Sequence, residues 1–148
     1  MDMIEINTLK LDEDASGLNA LAVASVCENY VFLQRLQTEW RSGENRFNKS
    51  GELLLGAIKN ERLIGICGVN QDPYTADLSV ARLRHLYVEP DNRNNQIGYR
   101  LAEACIESAR LTFRKIRLRM AGEDTALFYR SLGFVRVNSE HATHEMLF

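Results

Sequence analysis

The sequence has no cysteine pair at metal-ligating or redox spacing. Cys27, Cys67 and Cys105 are its only three cysteines. An odd count without a CxxC motif argues against a disulfide framework and fits reduced thiols. Cys67 and Cys105 lie among apolar neighbours and are expected as small core side chains. The chain opens MDMIEINTLKLDED, with neither a basic leader nor a long apolar run, so a secretory signal is not expected. The longest apolar-rich stretch, Leu18 to Cys27, is far short of the roughly 20 residues that span a bilayer. The expected setting is the cytoplasm, with no membrane partner. The net charge is −2, so no basic surface for nucleic acid is expected. Repeats, low-complexity segments and linkers are missing, which makes residues 1–148 one expected domain. No metal is expected.

What is present is hydrophobic patterning. "MIEINTL", Met3 to Leu9, alternates as a strand. From Ala15 to about Trp40 the spacing is helical, and "CENY" divides it into two helices. Leu53 to Ile58 and Leu63 to Val69 flank Lys59-Asn60-Glu61-Arg62, which reads as a hairpin. "LSVARLRHLYV" is a strand, and Ile97 to Leu111 is a helix. "KIRLRM" alternates as a half-buried strand. "GEDTALFYRSLGF" is a short helix with an entry cap at Asp124 and a glycine exit at Gly133. "FVRV" and "THEMLF" close the chain as strands. This order predicts a mixed α/β sheet with helices on its faces.

The segment "LRHLYVEPDNRNNQIGYRL" carries the chemistry. Leu86 and Val88 share one strand face, and Leu83 joins them only if an extra residue, a β-bulge, lies near Arg84 and His85. A polar turn at a helix start then aims backbone N–H groups and a helix dipole at one point, an arrangement suited to an anion. No GK[ST] or GxGxxG motif accompanies it, which ranks a nucleotide-binding protein last among the readings.

"LYVEPDNRNNQIGYRL" resembles the strand-loop-helix that holds the CoA pyrophosphate in the GNAT superfamily, the acyl-CoA-dependent N-acetyltransferases. Val88, Pro90, Arg93, Gly98 and Leu101 carry the match. "LFYRSLGF" resembles the same family's second segment through Phe128, Tyr129, Gly133 and Phe134. The resemblance implies a mostly antiparallel sheet of about six or seven strands, splayed between strands 4 and 5. It implies acetyl transfer from acetyl-CoA to a primary amine by direct attack on the thioester. Loop N–H groups of Arg93, Asn94, Asn95, Gln96, Ile97 and Gly98 would hold the pyrophosphate, with Tyr99 and Phe128 beside it. Leu86, Tyr87 and Val88 would meet the pantetheine, and the Val88 N–H would polarise the thioester carbonyl. Tyr129 would protonate the leaving thiolate.

Two positions depart from the family pattern. Gln96 stands where the loop's first glycine would be, and a left-handed backbone there costs about 1 kcal/mol or more. Gly122 stands where an asparagine often touches the CoA arm. Residues 80–88 hold no Asp or Glu, so a strand carboxylate cannot be the general base. His85, Tyr87, Glu28, Glu89, Glu123 and a water chain remain the alternatives. Tyr30, Phe32, Trp40 and Phe47 are candidates for an acceptor pocket between the segments around residues 26–49 and 71–77. Arg82 and Arg84 suggest an acceptor with a carboxylate or phosphate. A non-catalytic acyl-CoA-binding module of the same fold is the alternative function, and a homodimer is possible for either.

Overall fold

Turn chemistry sets the first pairings. The computed structural model describes residues 3–9, 11–93, 95–120 and 122–148, and of residues 11–15 the backbone only. Strand β2 (Leu53–Lys59) and strand β3 (Arg62–Gln71) are joined through Asn60 and Glu61, at φ 52° and 64°. Two successive left-handed residues make the type I′ turn whose twist suits a hairpin. Strand β1 (Ile4–Thr8) lies antiparallel on β2, and strand β4 (Val80–Val88) lies antiparallel on β3. Strands β5 (Lys115–Leu118), β6 (Val135–Arg136) and β7 (His144–Leu147) complete the sheet. Its order among the described residues is β1-β2-β3-β4-β5-β7-β6, and the parallel pair is β4 with β5.

Helix α1 (Leu11–Cys27) starts before the expected Ala15, and α2 (Phe32–Ser42) follows the break at "CENY". These two pack Leu18, Leu21, Leu33 and Leu36 on one face of the sheet. Helix α3 (Ile97–Arg110) packs Ile97, Leu101 and Cys105 on the other, where Leu55, Ile64 and Val69 meet it. Strands β2 and β3 therefore read as near-continuous apolar runs, because both of their faces are covered. Cys67 and Cys105 are fully buried free thiols, as expected of core side chains.

The short helix α4 (Ala126–Ser131) begins later than the sequence suggests. A 3₁₀ turn over Glu123–Thr125 precedes it. The Thr125 N–H and hydroxyl both donate to the Gly122 carbonyl, at 3.1 and 2.6 Å, and this tight winding moves the N-cap from Asp124 to Thr125. Gly133 makes the expected exit, at φ 106°.

The bulge lies in β4. Ile66 pairs with Tyr87 and Gly68 with Arg84, so His85 and Leu86 share the single opposite residue Cys67. His85 takes φ 62°. The extra residue puts Leu83, Leu86 and Val88 against one apolar cluster. Below it, β4 pairs with β5 only from Val80 to Arg82. Beyond Arg82 the two strands part.

Candidate active site

The parting of β4 and β5 opens a cleft of about 710 Å³ beside the start of α3. Leu86, Tyr87 and Val88 line it from β4, and Phe128 and Tyr129 from α4. Gln96, Ile97, Gly98 and Tyr99 form its far end. Asn95 is exposed and is not among its walls. Asn94 lies outside the described residues. Asp124 and Thr125 also line the cleft, a place that reading Asp124 as a helix cap did not suggest.

Backbone direction explains the chemistry of these walls. The Glu89 N–H donates to the Ile64 carbonyl at 2.9 Å. Alternation along the strand then turns the Val88 N–H away from β3 and toward the gap. At the far end, the first-turn N–H groups of Ile97, Gly98 and Tyr99 have no partner within the helix, and the dipole of α3 adds positive potential there. A Cβ built on Gly98 would lie 3.7 Å from Val88 Cγ2 and 3.8 Å from Phe128 Cζ. The glycine thus leaves space in the cleft that the fold itself does not require. Gln96, at the N-cap, has φ 59° and no side-chain capping bond.

Arg93 is placed differently from the expectation that its N–H joins a phosphate cradle. That N–H donates to the Pro90 carbonyl at 3.3 Å. The side chain binds instead: Nε donates to the Val88 carbonyl at 2.9 Å, and the guanidinium grips both Glu28 oxygens at 2.8 and 2.7 Å. The Tyr87 hydroxyl donates to Glu28 at 2.5 Å. Arg93 and Tyr87 together hold the Glu28 carboxyl below its usual range, and burial with Glu28 nearby pushes the Tyr87 phenol up. These groups tie the end of α1 to the turn after β4 and are committed to one another.

A second cleft, of about 350 Å³, opens where β4 turns toward α2. Phe32, Leu86 and Tyr129 line both clefts, so the two meet there. The Tyr129 hydroxyl makes no hydrogen bond to the described residues. Its ring packs edge-on against Phe128 at 5.2 Å and Phe134 at 6.0 Å. Burial pushes its phenol up, which keeps the proton on at neutral pH.

The candidate bases fare poorly. His85 is 7% exposed, and neither ring nitrogen has a hydrogen-bond partner. Burial, then the charges of Arg84 and Arg35, push its imidazolium down to about 3. A neutral imidazole of that strength takes a proton from an ammonium ion inefficiently. Glu89 is held by Arg62 and Asn92, each at 2.5 Å. Glu123 pairs with Arg136 at 3.2 Å on the exposed side of the 3₁₀ turn. The arrangement gives none of these groups the base role.

Among the expected acceptor aromatics, Phe32 alone lines the second cleft, while Tyr30 lines the first. Phe47 is 6% exposed and packs beneath His85, with ring centroids 5.9 Å apart. Trp40 packs on the α1–α2 cluster. The sequence reading missed Arg35, Tyr74, Arg119 and His141, which line the second cleft. They come from four separate segments, and only the alternation of "KIRLRM" hinted that Arg119 flanks the gap.

Comparison with known proteins follows this geometry. The sequence model of the acetyltransferase (GNAT) domain matches residues 50–136, more than half of the chain. An acetyltransferase-fold protein of Exiguobacterium superposes at a TM-score of 0.83 with 26% identity, covering 98% of this chain and 93% of that one. A GNAT-family acetyltransferase of Staphylococcus aureus gives 0.76 and 17%, covering 97% and 96%. A GNAT-family acetyltransferase of Brucella melitensis, crystallised in complex with acetyl-CoA, gives 0.75 and 16%, covering 99% and 88%.

Proposed function

The chain belongs to the GNAT acetyltransferase family, and from that premise we propose that it moves an acetyl group from acetyl-CoA to the primary amine of a small molecule or protein. The observation that carries this reading is the meeting of two clefts at Tyr129, a half-buried side chain whose phenol keeps its proton and whose hydroxyl has no hydrogen-bond partner among the described residues. A donor in one cleft and an acceptor in the other would react at that point.

The residues present fit an acyl-CoA. The first turn of α3, from Ile97 to Tyr99, would receive the pyrophosphate, and the space beside Gly98 admits the chain that follows. The CoA thioester supplies an acyl carbon open to attack. The Val88 N–H would polarise its carbonyl oxygen, the role of an oxyanion-hole donor. Tyr129 would give its proton to the departing sulfur. The amine attacks directly after losing its proton to solvent, since no side chain is poised as base. Walls from α2, β4 and α4 meet in these clefts, so residues 1–148 act as one domain in this reading.

Replacing Tyr129 by Phe tests it. Turnover should fall roughly a hundredfold or more, the usual contribution of a positioned acid. The stabilisation by acetyl-CoA should persist, at about 2.7 kcal/mol when the ligand is at a hundred times its Kd. Full turnover in Tyr129→Phe would remove Tyr129 from the chemistry. Acetyl-CoA binding without turnover in the unmodified protein would favour the non-catalytic module.

A further inference from the structure

We propose that the acceptor is a small amine carrying a carboxylate, and that the second cleft binds this carboxylate through its arginines while the amine faces Tyr129. The inference rests on the transferase reading and names its substrate class.

Arg35, Arg82, Arg84 and Arg119 line this cleft, and no Asp or Glu does. Two carboxylates stand behind the walls. Glu39 pairs with Arg84 at 3.4 Å. Asp72, with a wholly buried side chain, faces Arg82 at 3.7 Å and Arg117 at 2.8 Å. Arg35 and Arg119 make no ion pair among the described residues. Three guanidinium groups thus face two carboxylates, and Arg35 and Arg119 add two more cations to the cleft wall. Arg35 and Arg119 are exposed, so their unpaired charges are open to an incoming anion. Arg82 is only 6% exposed and faces Asp72, so the charge left for a ligand lies chiefly on Arg35 and Arg119.

The cleft is also built to one shape. Tyr74 and His141 stack with centroids 4.6 Å apart and an interplanar angle of 11°. Arg82 donates to the His141 carbonyl at 2.7 Å and lies over the Tyr74 ring at 4.7 Å. Guanidinium groups recognise planar carboxylates by paired, charge-assisted hydrogen bonds. The volume of about 350 Å³ is at the small end for ligand sites and suits a molecule the size of an amino acid. At the other end of the cleft, Phe32, Leu86 and Tyr129 offer an apolar junction in which a neutral amine can approach the thioester.

The step balances without redox chemistry. The amine lone pair forms a C–N bond to the acetyl carbon as the C–S bond breaks onto sulfur. Sulfur takes the Tyr129 proton, the amine proton passes to solvent, and Tyr129 is reprotonated from solvent. The products are an N-acetylated amino acid and the free CoA thiol.

The experiment compares γ-aminobutyrate, aminopropylphosphonate, butylamine and putrescine as acceptors with acetyl-CoA. It is paired with ligand-observed NMR of γ-aminobutyrate binding without acetyl-CoA. The expected result is kcat/KM on the order of tenfold or more higher for γ-aminobutyrate than for butylamine. A double variant, Arg35→Gln with Arg119→Gln, should erase most of that preference through KM, and the thermal shift with acetyl-CoA reports its folding and donor binding. Equal rates with all amines, or a preference for putrescine, overturn the inference and leave the transferase reading intact. A preference for the phosphonate overturns the carboxylate assignment. Saturable binding of γ-aminobutyrate that the double variant loses, without transfer to any amine, supports the anion site and sinks the transferase reading instead. No binding and no transfer overturns both.

Discussion

His85 occupies a left-handed backbone position, which histidine tolerates better than most residues. Its ring is buried without hydrogen bonds, and that burial has a consequence for stability. The unfolded imidazole titrates near 6.5, whereas the folded one titrates at about 3. The unfolded state therefore binds the proton first as pH falls. Stability should drop by about 1.4 kcal/mol per pH unit from roughly 6.5 down toward 3 on this account alone. Asn also tolerates the left-handed backbone and does not titrate. In urea unfolding at pH 7, 6, 5 and 4, His85→Asn should lose stability less steeply than the unmodified protein. Parallel slopes would mean that His85 is not held neutral. The same depressed value predicts that kcat/KM rises with the deprotonation of the acceptor amine, with no inflection from His85 near pH 6.5.

The strand-turn-helix from β4 to α3 carries two residues whose effects on stability and binding should separate. Gln96 sits at φ 59° without a capping bond. Gln96→Gly should relieve up to about 1 kcal/mol of left-handed strain, a Tm rise of roughly 2–4 °C. Gly98→Ala runs the other way in function. Alanine is preferred over glycine in a helix by up to about 1 kcal/mol, and its Cβ would make only ordinary contacts. The fold should thus keep or gain stability. The added methyl, however, enters the space between Val88 and Phe128, so the thermal shift with acetyl-CoA should shrink. A full shift in Gly98→Ala would mean that acyl-CoA does not pass there. The Glu28–Arg93 pair fastens this element to α1, but it is 29% and 40% exposed, so its own contribution is small.

At the scale of the molecule, the splay depends on what holds the lower halves of β4 and β5 together. Asp72 lies in the loop after β3 and faces Arg82 of β4 and Arg117 of β5, so it ties three segments at one point. Its N–H donates to the Val80 carbonyl at 2.9 Å, which fixes it against β4. Asp72→Asn would leave two buried guanidinium groups facing no carboxylate. Such a break costs about 3–5 kcal/mol, readable as a lower midpoint in chemical denaturation. A loss under about 1 kcal/mol, the size of a surface pair, would show that the cluster is open to solvent.

Much of this protein follows from its sequence by itself. Alternation at Met3 to Leu9 and in "KIRLRM", the helical spacing after Ile97, and the turn at Asn60 and Glu61 are decided by neighbours along the chain. Steric and hydrogen-bonding preferences act over that range. The bulge was legible for the same reason, since Leu83, Leu86 and Val88 cannot share a face without it. The resemblance of two segments then singled out residues from Val88 to Gly98 and at Phe128 and Tyr129, several of which line the larger cleft. The tertiary structure alone decided the rest. Arg93 binds Glu28 because α1 ends beside the loop, and no local pattern records that approach. Asp124 lost its capping place to a tight turn on the Gly122 carbonyl. The arginine-lined cleft draws on α2, β4, the end of β5 and two loops. Its residues lie up to about a hundred positions apart, and only the sheet order β4-β5-β7 puts them around one space.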